Sequence, residues 1–258
     1  MPDAVVMPID TTQVAAIASA CNDHNTPLTA RGAGTGLSGA CTPRAGGVLI
    51  SFERMSSILE IDPDNHVAVV QPGVTLSQLD EALAPHNLIY PVFPGEYSAS
   101  LGGNVNTNAG GMRAVKYGVT RHQVLGIEAA LATGEVIRSG GKAVKSSTGY
   151  DLTQLVIGSE GTLALVTEAT LKLHPRLDHQ ATILAPFETL EGVTDAVPLI
   201  VDSGVGPMIL EYIDLLTMSA MQSAEDLGLG VPADVQEKAL AYLAVSYTHL
   251  TLPTICSV

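Results

Sequence analysis

Residues 31 to 39 read Arg-Gly-Ala-Gly-Thr-Gly-Leu-Ser-Gly, and this glycine-rich stretch decides how the rest of the sequence is interpreted. A run of backbone N–H groups without bulky side chains can form a concave nest around a phosphate oxygen. The hydroxyl groups of Thr35 and Ser38 would add further donors. The stretch therefore predicts a site for a phosphate-bearing cofactor, and a loop that only turns the chain is the alternative.

The segment 34–39 also satisfies the G-x-G-x-x-G fingerprint of nicotinamide dinucleotide sites. In that fold the fingerprint opens a long helix, whose N-terminus holds the pyrophosphate. Here Pro43 and the pair Gly46-Gly47 come before any helix could run. The loop is therefore predicted to lead from a strand at 27–31 to a strand at 47–52, which disfavours a nicotinamide site and leaves a pyrophosphate nest of another kind.

The composition bounds the class of protein. The chain has 258 residues, of which 46% are hydrophobic, 15% charged and only 4% aromatic, which predicts a globular core built from Ala, Val, Leu and Ile. A net charge of −14 argues against nucleic acid or an anionic membrane as a main partner. The cysteines Cys21, Cys41 and Cys256 are too widely separated to indicate a disulfide framework or a metal site. With no long apolar run and no signal peptide pattern, we expect a soluble cytoplasmic protein without a transmembrane segment.

The hydrophobic pattern predicts alternating helices and strands. Capping residues followed by apolar residues at helical spacing predict helices over 11–24 and 75–85. Strand-rich runs joined by turn residues predict hairpins over 57–71 and 124–138. Beyond residue 176 the composition changes, since residues 177–258 hold eleven acidic residues and only one basic one, Lys238. The change predicts that a new domain begins there, with a helical pattern over 235–243.

Two further segments are rich in small residues. Residues 94–111 combine glycines and alanines with serine, threonine and asparagine side chains, and carry no charge between 97 and 112. Such a segment can lie flat against a planar ligand while it offers donors to the ligand's edge; an exposed flexible loop is the alternative. The third segment consists of residues 140–152 and 157–168.

Together, and in this order, the three segments resemble the flavin domain of the vanillyl-alcohol-oxidase (PCMH-type) superfamily, and most closely its branch of D-lactate dehydrogenases and the flavin-binding subunits of glycolate oxidase. The resemblance runs from about Ala4 to Arg176. It implies an α+β fold, in which a PCMH-type FAD-binding domain of two α/β subdomains holds the flavin between them, plus the start of a cap domain. The expected domains are 1–176 for FAD binding, 177–244 for the beginning of an FAD-linked oxidase C-terminal cap, and 245–258 for a non-native tail that looks like translated sequencing adapter.

The resemblance also implies which residues hold FAD. The first segment would wrap the pyrophosphate, the second would lie along the pyrophosphate and isoalloxazine, and the third would approach the ribose and flavin. The implied cofactor-binding residues are Arg31, Gly32, Ala33, Gly34, Thr35, Gly36, Leu37, Ser38, Pro94, Ser98, Ser100, Gly102, Gly103, Asn104, Thr107, Asn108, Gly149, Tyr150, Asp151, Gly158, Glu160, Gly161 and Val166. Some relatives attach the flavin through a histidine just after the start of the glycine loop; because this loop has none, we expect noncovalent FAD.

Arg113 and Lys116, followed by Arg121, form a basic cluster near the place where the family's flavin faces its substrate. These cations would hold a substrate carboxylate or stabilise anionic reduced flavin. A solvated basic loop is the alternative.

The activity implied by the resemblance is FAD-dependent oxidation of a small D-2-hydroxy acid of the lactate or glycolate type. An electron acceptor and partner subunits of a glycolate-oxidase-like complex are further expectations. In the family the catalytic base and a His-x-Gly-Asp-Gly-Asn segment belong to the cap domain, and this sequence contains no such segment. We therefore expect FAD binding with little or no turnover by this truncated chain. An inactive flavin-binding fragment and an ether-lipid synthase-like enzyme of the same fold stay open as alternatives.

Overall fold

The computed structural model describes residues 1–177, 179–223, 232, 234 and 238–247. The chain divides into two compact units. The first comprises Met1–Gly111 and Gly118–Arg176, and the second comprises Met112–Tyr117 and the residues from Leu177 onward. The division after Arg176 coincides with the change in charge composition.

The elements alternate along the chain. The strands are β1 (Ala4–Val6), β2 (Leu28–Arg31), β3 (Val48–Ser51), β4 (Ile58–Asp62), β5 (Val67–Val70), β6 (Leu88–Ile89), β7 (Val124–Ala130), β8 (Val136–Gly140), β9 (Leu165–Lys172), β10 (His174–Pro175), β11 (Ala181–Phe187), β12 (Ile209–Asp214) and β13 (Ala241–Tyr247). The helices are α1 (Thr11–Asp23), α2 (Leu76–Leu83), α3 (Leu101–Thr107), α4 (Ala114–Tyr117), α5 (Leu152–Val156), α6 (Leu190–Asp202) and α7 (Leu215–Ser223).

The first unit contains a small parallel sheet in the order β1-β3-β2. Asp10 caps α1 by accepting a hydrogen bond from the N–H of Gln13, as the sequence pattern predicts. Val14 and Ala18 then bring the apolar face of α1 against Ile50 of β3. The chain leaves β2 through the glycine loop and returns as β3, so the predicted strand-to-strand path of that loop is confirmed.

A second sheet of the same unit is antiparallel, in the order β4-β5-β9-β7-β8. The two predicted hairpins are confirmed as β4–β5 and β7–β8. α2 begins with a reciprocal capping box between Thr75 and Gln78, and its buried Leu79 and Leu83 pack into the core of this sheet. The unit thus has two α/β layers, and the α+β class is confirmed. One core lies in the five-stranded layer, and a second packs α1 and β3 against Ala130 and Leu165 of that layer.

The second unit is built on the antiparallel sheet β11-β13-β12, with α4 packed beside β12. The helical pattern predicted over 235–243 is wrong for residues 241–243, which lie in β13. This strand is the central one of its sheet and is buried on both faces, so its apolar run carries no alternation that would distinguish a strand from a buried helix. Residues 245–247 of the expected tail continue β13, and residues 248–258 lie outside the described part of the chain.

The described helices include none that is both long and apolar enough to cross a membrane.

Candidate cofactor site

A cavity of about 810 Å³ lies in the first unit, at the carboxyl end of β2 and along α3. It takes lining residues from each of the three segments that the sequence singles out. The predicted residues that line it are Gly32, Ala33, Gly34, Thr35, Gly36, Leu37, Ser38, Pro94, Ser100, Gly102, Gly103, Asn104, Thr107, Asn108, Glu160, Gly161 and Val166. The volume falls within the range typical of cofactor and ligand pockets.

Six predicted residues do not line this cavity: Arg31, Ser98, Gly149, Tyr150, Asp151 and Gly158. Asp151 instead caps α5, since its Oδ1 accepts a hydrogen bond of 3.0 Å from the N–H of Gln154. The side chain of Tyr150 is 96% exposed. Arg31 ends β2, and its Nε would lie 3.3 Å from a Cβ added at Gly34.

Other lining residues are not among the implied cofactor-binding residues: Ala30, Ala40, Cys41, Phe52, Pro72, Gly95, Glu96, Ala99, Asn106, Ala109 and Gly110. Ala30, Ala40 and Cys41 flank the segment 31–39, and the residues from Gly95 to Gly110 lie inside the segment 94–111, so taking each segment whole with two residues on either side includes them. Phe52 and Pro72 carry no such signal. They reach the cavity because they follow β3 and β5, which only the folded topology reveals.

The glycine loop has the backbone that a phosphate nest requires. Gly34 and Gly39 have φ angles of 78° and 79°, in the left-handed region that favours glycine. The N–H of Ala33 donates to Ser100 Oγ at 3.1 Å, which ties the loop to the start of α3. The loop is therefore held at its first turn and exposes small residues along the remainder.

The α3 wall of the cavity contains two side-chain amide atoms without a hydrogen-bond partner among the described residues. Asn104 Nδ2 and Asn106 Oδ1 are buried and have no hydrogen-bond partner among the residues described. The orientation of Asn106 is set by its Nδ2, which donates to the carbonyl oxygen of Gly102 at 2.7 Å. An unsatisfied buried polar group costs about 1–3 kcal/mol. Asn104 Nδ2 is a donor that suits a phosphate or carbonyl oxygen, whereas Asn106 Oδ1 is an acceptor that suits an N–H or O–H group. The pair therefore suits a phosphate-bearing cofactor that also carries N–H or O–H groups.

The third segment closes the cavity from the side of β9. The N–H of Glu160 donates to Asn106 O at 2.8 Å, and the N–H of Gly158 donates to Val105 O at 3.0 Å. Glu160 has a φ angle of 53°, which is unusual for a residue with a side chain. These bonds pin residues 158–160 against α3, so the three sequence segments meet in space.

The charge of the cavity is set by carboxylates. Glu96 and Glu160 line it, whereas its described lining contains no lysine, arginine or histidine. Two hydrogen bonds from Ser98 hold the pKa of Glu96 below its usual range; the bond from its N–H has the larger effect and the bond from its hydroxyl the smaller. A pyrophosphate in this cavity would therefore be stabilised by backbone N–H groups and not by side-chain cations.

The predicted basic cluster is divided between the two units. Arg113 and Lys116 lie in the second unit, where Lys116 Nζ is 5.7 Å from the ring centre of Tyr117. Burial raises the pKa of Tyr117, and the charge of Arg113 partly opposes the rise. Arg121 belongs to the first unit, where its guanidinium donates to Ile157 O at 3.3 Å. Arg121 is thus a structural tie between the turn at 120–122 and α5.

Comparison with known proteins decides the family. Residues 2–140 match the FAD binding domain family, which is more than half of the chain. The chain belongs to this FAD binding domain family. The predicted PCMH-type resemblance and the prediction of FAD as the cofactor are confirmed, and the nicotinamide alternative is not supported.

Curated relatives agree with that membership. An uncharacterized FAD-linked oxidoreductase of Mycobacterium tuberculosis is 58% identical over 245 residues, which are 95% of this chain and 53% of the relative. Glycolate oxidase subunit GlcD of Bacillus subtilis is 42% identical over 234 residues, covering 90% of this chain and 50% of the relative. D-lactate dehydrogenase of Archaeoglobus fulgidus is 44% identical over 210 residues, covering 81% of this chain and 47% of the relative. The chain spans about half the length of the curated relatives it matches.

A solved structure of alkyldihydroxyacetonephosphate synthase has a TM-score of 0.78 and 20% identity, and the match covers 95% of this chain and 46% of that one. At that identity the likeness shows a shared fold alone.

Proposed function

We propose that this chain holds the FAD of an enzyme that oxidises a small D-2-hydroxy acid of the lactate or glycolate type. The observation that carries the proposal is the cavity itself, in which the glycine loop, the α3 segment and residues 160–166 converge. Relatives that are named D-lactate dehydrogenase and glycolate oxidase subunit GlcD match this chain at 44% and 42% identity, which supports this substrate class. Bound FAD supplies a hydride acceptor for such an oxidation.

Within this proposal each segment has its own task. The N–H groups of the glycine loop bind the pyrophosphate, the α3 segment lies along the cofactor, and Glu160 to Val166 approach its sugar and ring. Following the family resemblance, we assign the base that takes the hydroxyl proton to the cap domain. Arg113 and Lys116 stay proposed ligands of the substrate carboxylate.

The domain assignment is part of the same proposal. We propose that residues 1–176 form the FAD-binding domain, that 177–244 begin a cap domain, and that 245–258 are a non-native tail whose residues 245–247 complete β13. The compact units, which divide at Arg176, support the first boundary. Recovering the same 245–258 sequence from an independently cloned gene would refute the proposal that these residues are non-native.

The first experiment uses the chain as it stands. We expect it to purify with FAD, to release the flavin on acid precipitation because the attachment is noncovalent, and to show no flavin reduction with D-lactate, L-lactate or glycolate under anaerobic conditions. Dithionite should reduce the same flavin, as a control for its accessibility. A preparation that never binds FAD would favour an inactive fragment instead.

The second experiment tests the substrate class. The same anaerobic assay on a reading frame that continues past residue 244 should show flavin reduction by D-lactate or glycolate and not by L-lactate. Reduction by none of these acids, in a protein that holds FAD, would contradict the proposed substrate.

The name of the glycolate oxidase relative includes the word subunit, which supports the further proposal that the longer protein works with partner subunits that pass electrons to an acceptor. Co-purification of a tagged longer protein with such subunits from its own host would test this.

A further inference from the structure

Ser100 is held rigidly at the start of α3. Its side chain is 4% exposed, and its neighbours are fixed to the segment that enters α2. The N–H of Leu101 donates to Val74 O, and the N–H of Gly102 donates to Pro72 O, both at 2.8 Å. Ser100 itself forms an isolated antiparallel bridge with Thr75. Ser100 is therefore anchored to the layer of the five-stranded sheet.

The hydroxyl of Ser100 reaches across to the other layer. Ser100 Oγ accepts hydrogen bonds from the N–H of Gly103 at 3.3 Å and from the N–H of Ala33 at 3.1 Å. Ala33 follows β2 of the three-stranded sheet and is 67 residues away in sequence. A Cβ added at Gly32 would lie only 2.1 Å from Ser100 Oγ, which explains why residue 32 is glycine. The hydroxyl thus sits in a close contact that fixes where the glycine loop begins.

We propose that Ser100 is a positioning residue that assembles the FAD cavity before FAD binds, by fixing the glycine loop through the N–H of Ala33. The inference deepens the proposed function and rests on its FAD site. It differs from the sequence-based expectation that Ser100 contacts FAD itself. It also removes the Ala33 N–H from the phosphate nest, so that the N–H groups from Gly34 to Ser38 bind the pyrophosphate.

Loss of the Ser100 hydroxyl should change the fraction of molecules whose glycine loop can bind FAD. Without the Ser100 hydroxyl, the glycine loop samples conformations that do not bind FAD, and the apparent affinity falls by the fraction of molecules that stay competent. We expect Ser100→Ala to weaken FAD binding about tenfold, which corresponds to about one molecule in ten with its glycine loop in the binding conformation. Ser100→Thr keeps the oxygen atom and should restore most of the affinity.

The deciding measurement is hydrogen–deuterium exchange of the flavin-free protein. In the wild type the peptide that covers residues 31–41 should be protected, and in Ser100→Ala it should exchange faster. Ser56→Ala is the matched control, because Ser56 is exposed, lies outside the three segments and does not line the cavity. Equal exchange in the wild type and Ser100→Ala, together with a loss of FAD affinity, would overturn the proposal in favour of direct contact.

A double-mutant cycle gives a second test. Gly32→Ala alone should weaken FAD binding, because its Cβ meets Ser100 Oγ. In the Ser100→Ala background the same change should cost less, since the Cβ of residue 100 would lie 3.4 Å away, an ordinary contact. Additive effects of the two substitutions would overturn the proposal. Neither test uses a hydroxy acid, so failure of the proposed oxidation leaves both results interpretable.

Discussion

At the scale of single residues, Glu128 is a buried polar anchor outside the cavity. Its side chain is 7% exposed and lies between α1 and the five-stranded sheet. Glu128 Oε1 accepts hydrogen bonds from Thr11 Oγ1 at 2.6 Å and from Thr167 Oγ1 at 3.0 Å, while Oε2 pairs with Arg138. These contacts join the helix α1 of one layer to the strands β7, β8 and β9 of the other.

We expect Glu128→Leu to destabilise the protein by about 1–3 kcal/mol, because it removes charge-assisted hydrogen bonds and leaves the Thr11 hydroxyl without its acceptor. Thr167 Oγ1 would keep only the backbone carbonyl oxygen of residue 128, at 3.3 Å. Urea unfolding at neutral pH, followed by circular dichroism, measures the loss. Arg138→Met is the matched control, with an expected cost under about 1 kcal/mol, because the arginine side chain is 73% exposed and its ion pair is screened. Equal costs for the two variants would contradict the assignment of Glu128 as the anchor.

At the scale of elements, β10 ends the first unit and pairs with β6. His174 of β10 shares a hydrogen bond of 2.8 Å with Gln123 Oε1. Burial lowers the pKa of His174, and the positive charges of Lys172 and His66 lower it further. The folded protein therefore favours the neutral imidazole more than the unfolded chain does.

Because the pKa of His174 is lower in the folded state, stability should be lost as the pH falls from the unfolded value, about 6.5, towards the lower folded value. Thermal unfolding of the wild type should show a midpoint that drops between about pH 7 and pH 5. His174→Gln removes the titrating group and should flatten part of that dependence. His86→Gln, at an exposed position, is the control and should flatten the profile less than His174→Gln does. If His174→Gln showed the same pH dependence of the unfolding midpoint as the wild type, this account would be contradicted.

Elements with local signals were predicted well, and those without were not. The caps of α1 and α2 are encoded within a few neighbouring residues, and the two hairpins are encoded in their turns. β13 has no such signal: its apolar run fits a helix or a strand, and its place between β11 and β12 depends on partners far earlier in the chain. Similarly, Phe52 and Pro72 reach the cavity through topology alone.

At the scale of the whole molecule, the glycine loop gains its meaning from its surroundings. By itself, the segment 34–39 fits a nicotinamide fingerprint, whereas the path from β2 to β3 and the two partner segments make it one wall of an FAD cavity. Sequence order was sufficient to select the three segments. It could not show that Ala33 bonds to Ser100, or that Arg113 and Arg121 fall in different units, because both facts depend on contacts between distant residues.

Binding of FAD to the folded state alone should therefore stabilise the first unit by mass action. At a free FAD concentration of 100 times Kd the gain is about 2.7 kcal/mol, or a rise of roughly 5–10 °C in Tm for a unit of this size. NAD at the same concentration should produce no shift, and an equal shift with NAD would contradict the FAD assignment of the cavity.

Two glycines with nearly the same φ angle separate this effect from general strain. Gly34 in the loop has a φ angle of 78°, and Gly204 in the second unit has a φ angle of 77° with open space around it. Alanine at either position should cost about 1 kcal/mol in the flavin-free protein, because both place a side chain in the left-handed region. Only Gly34→Ala should also reduce the FAD-dependent rise in Tm, since only that strain distorts the phosphate nest. If Gly204→Ala reduced the rise as much, the loss would reflect general destabilisation and the glycine loop would not be the site that holds FAD.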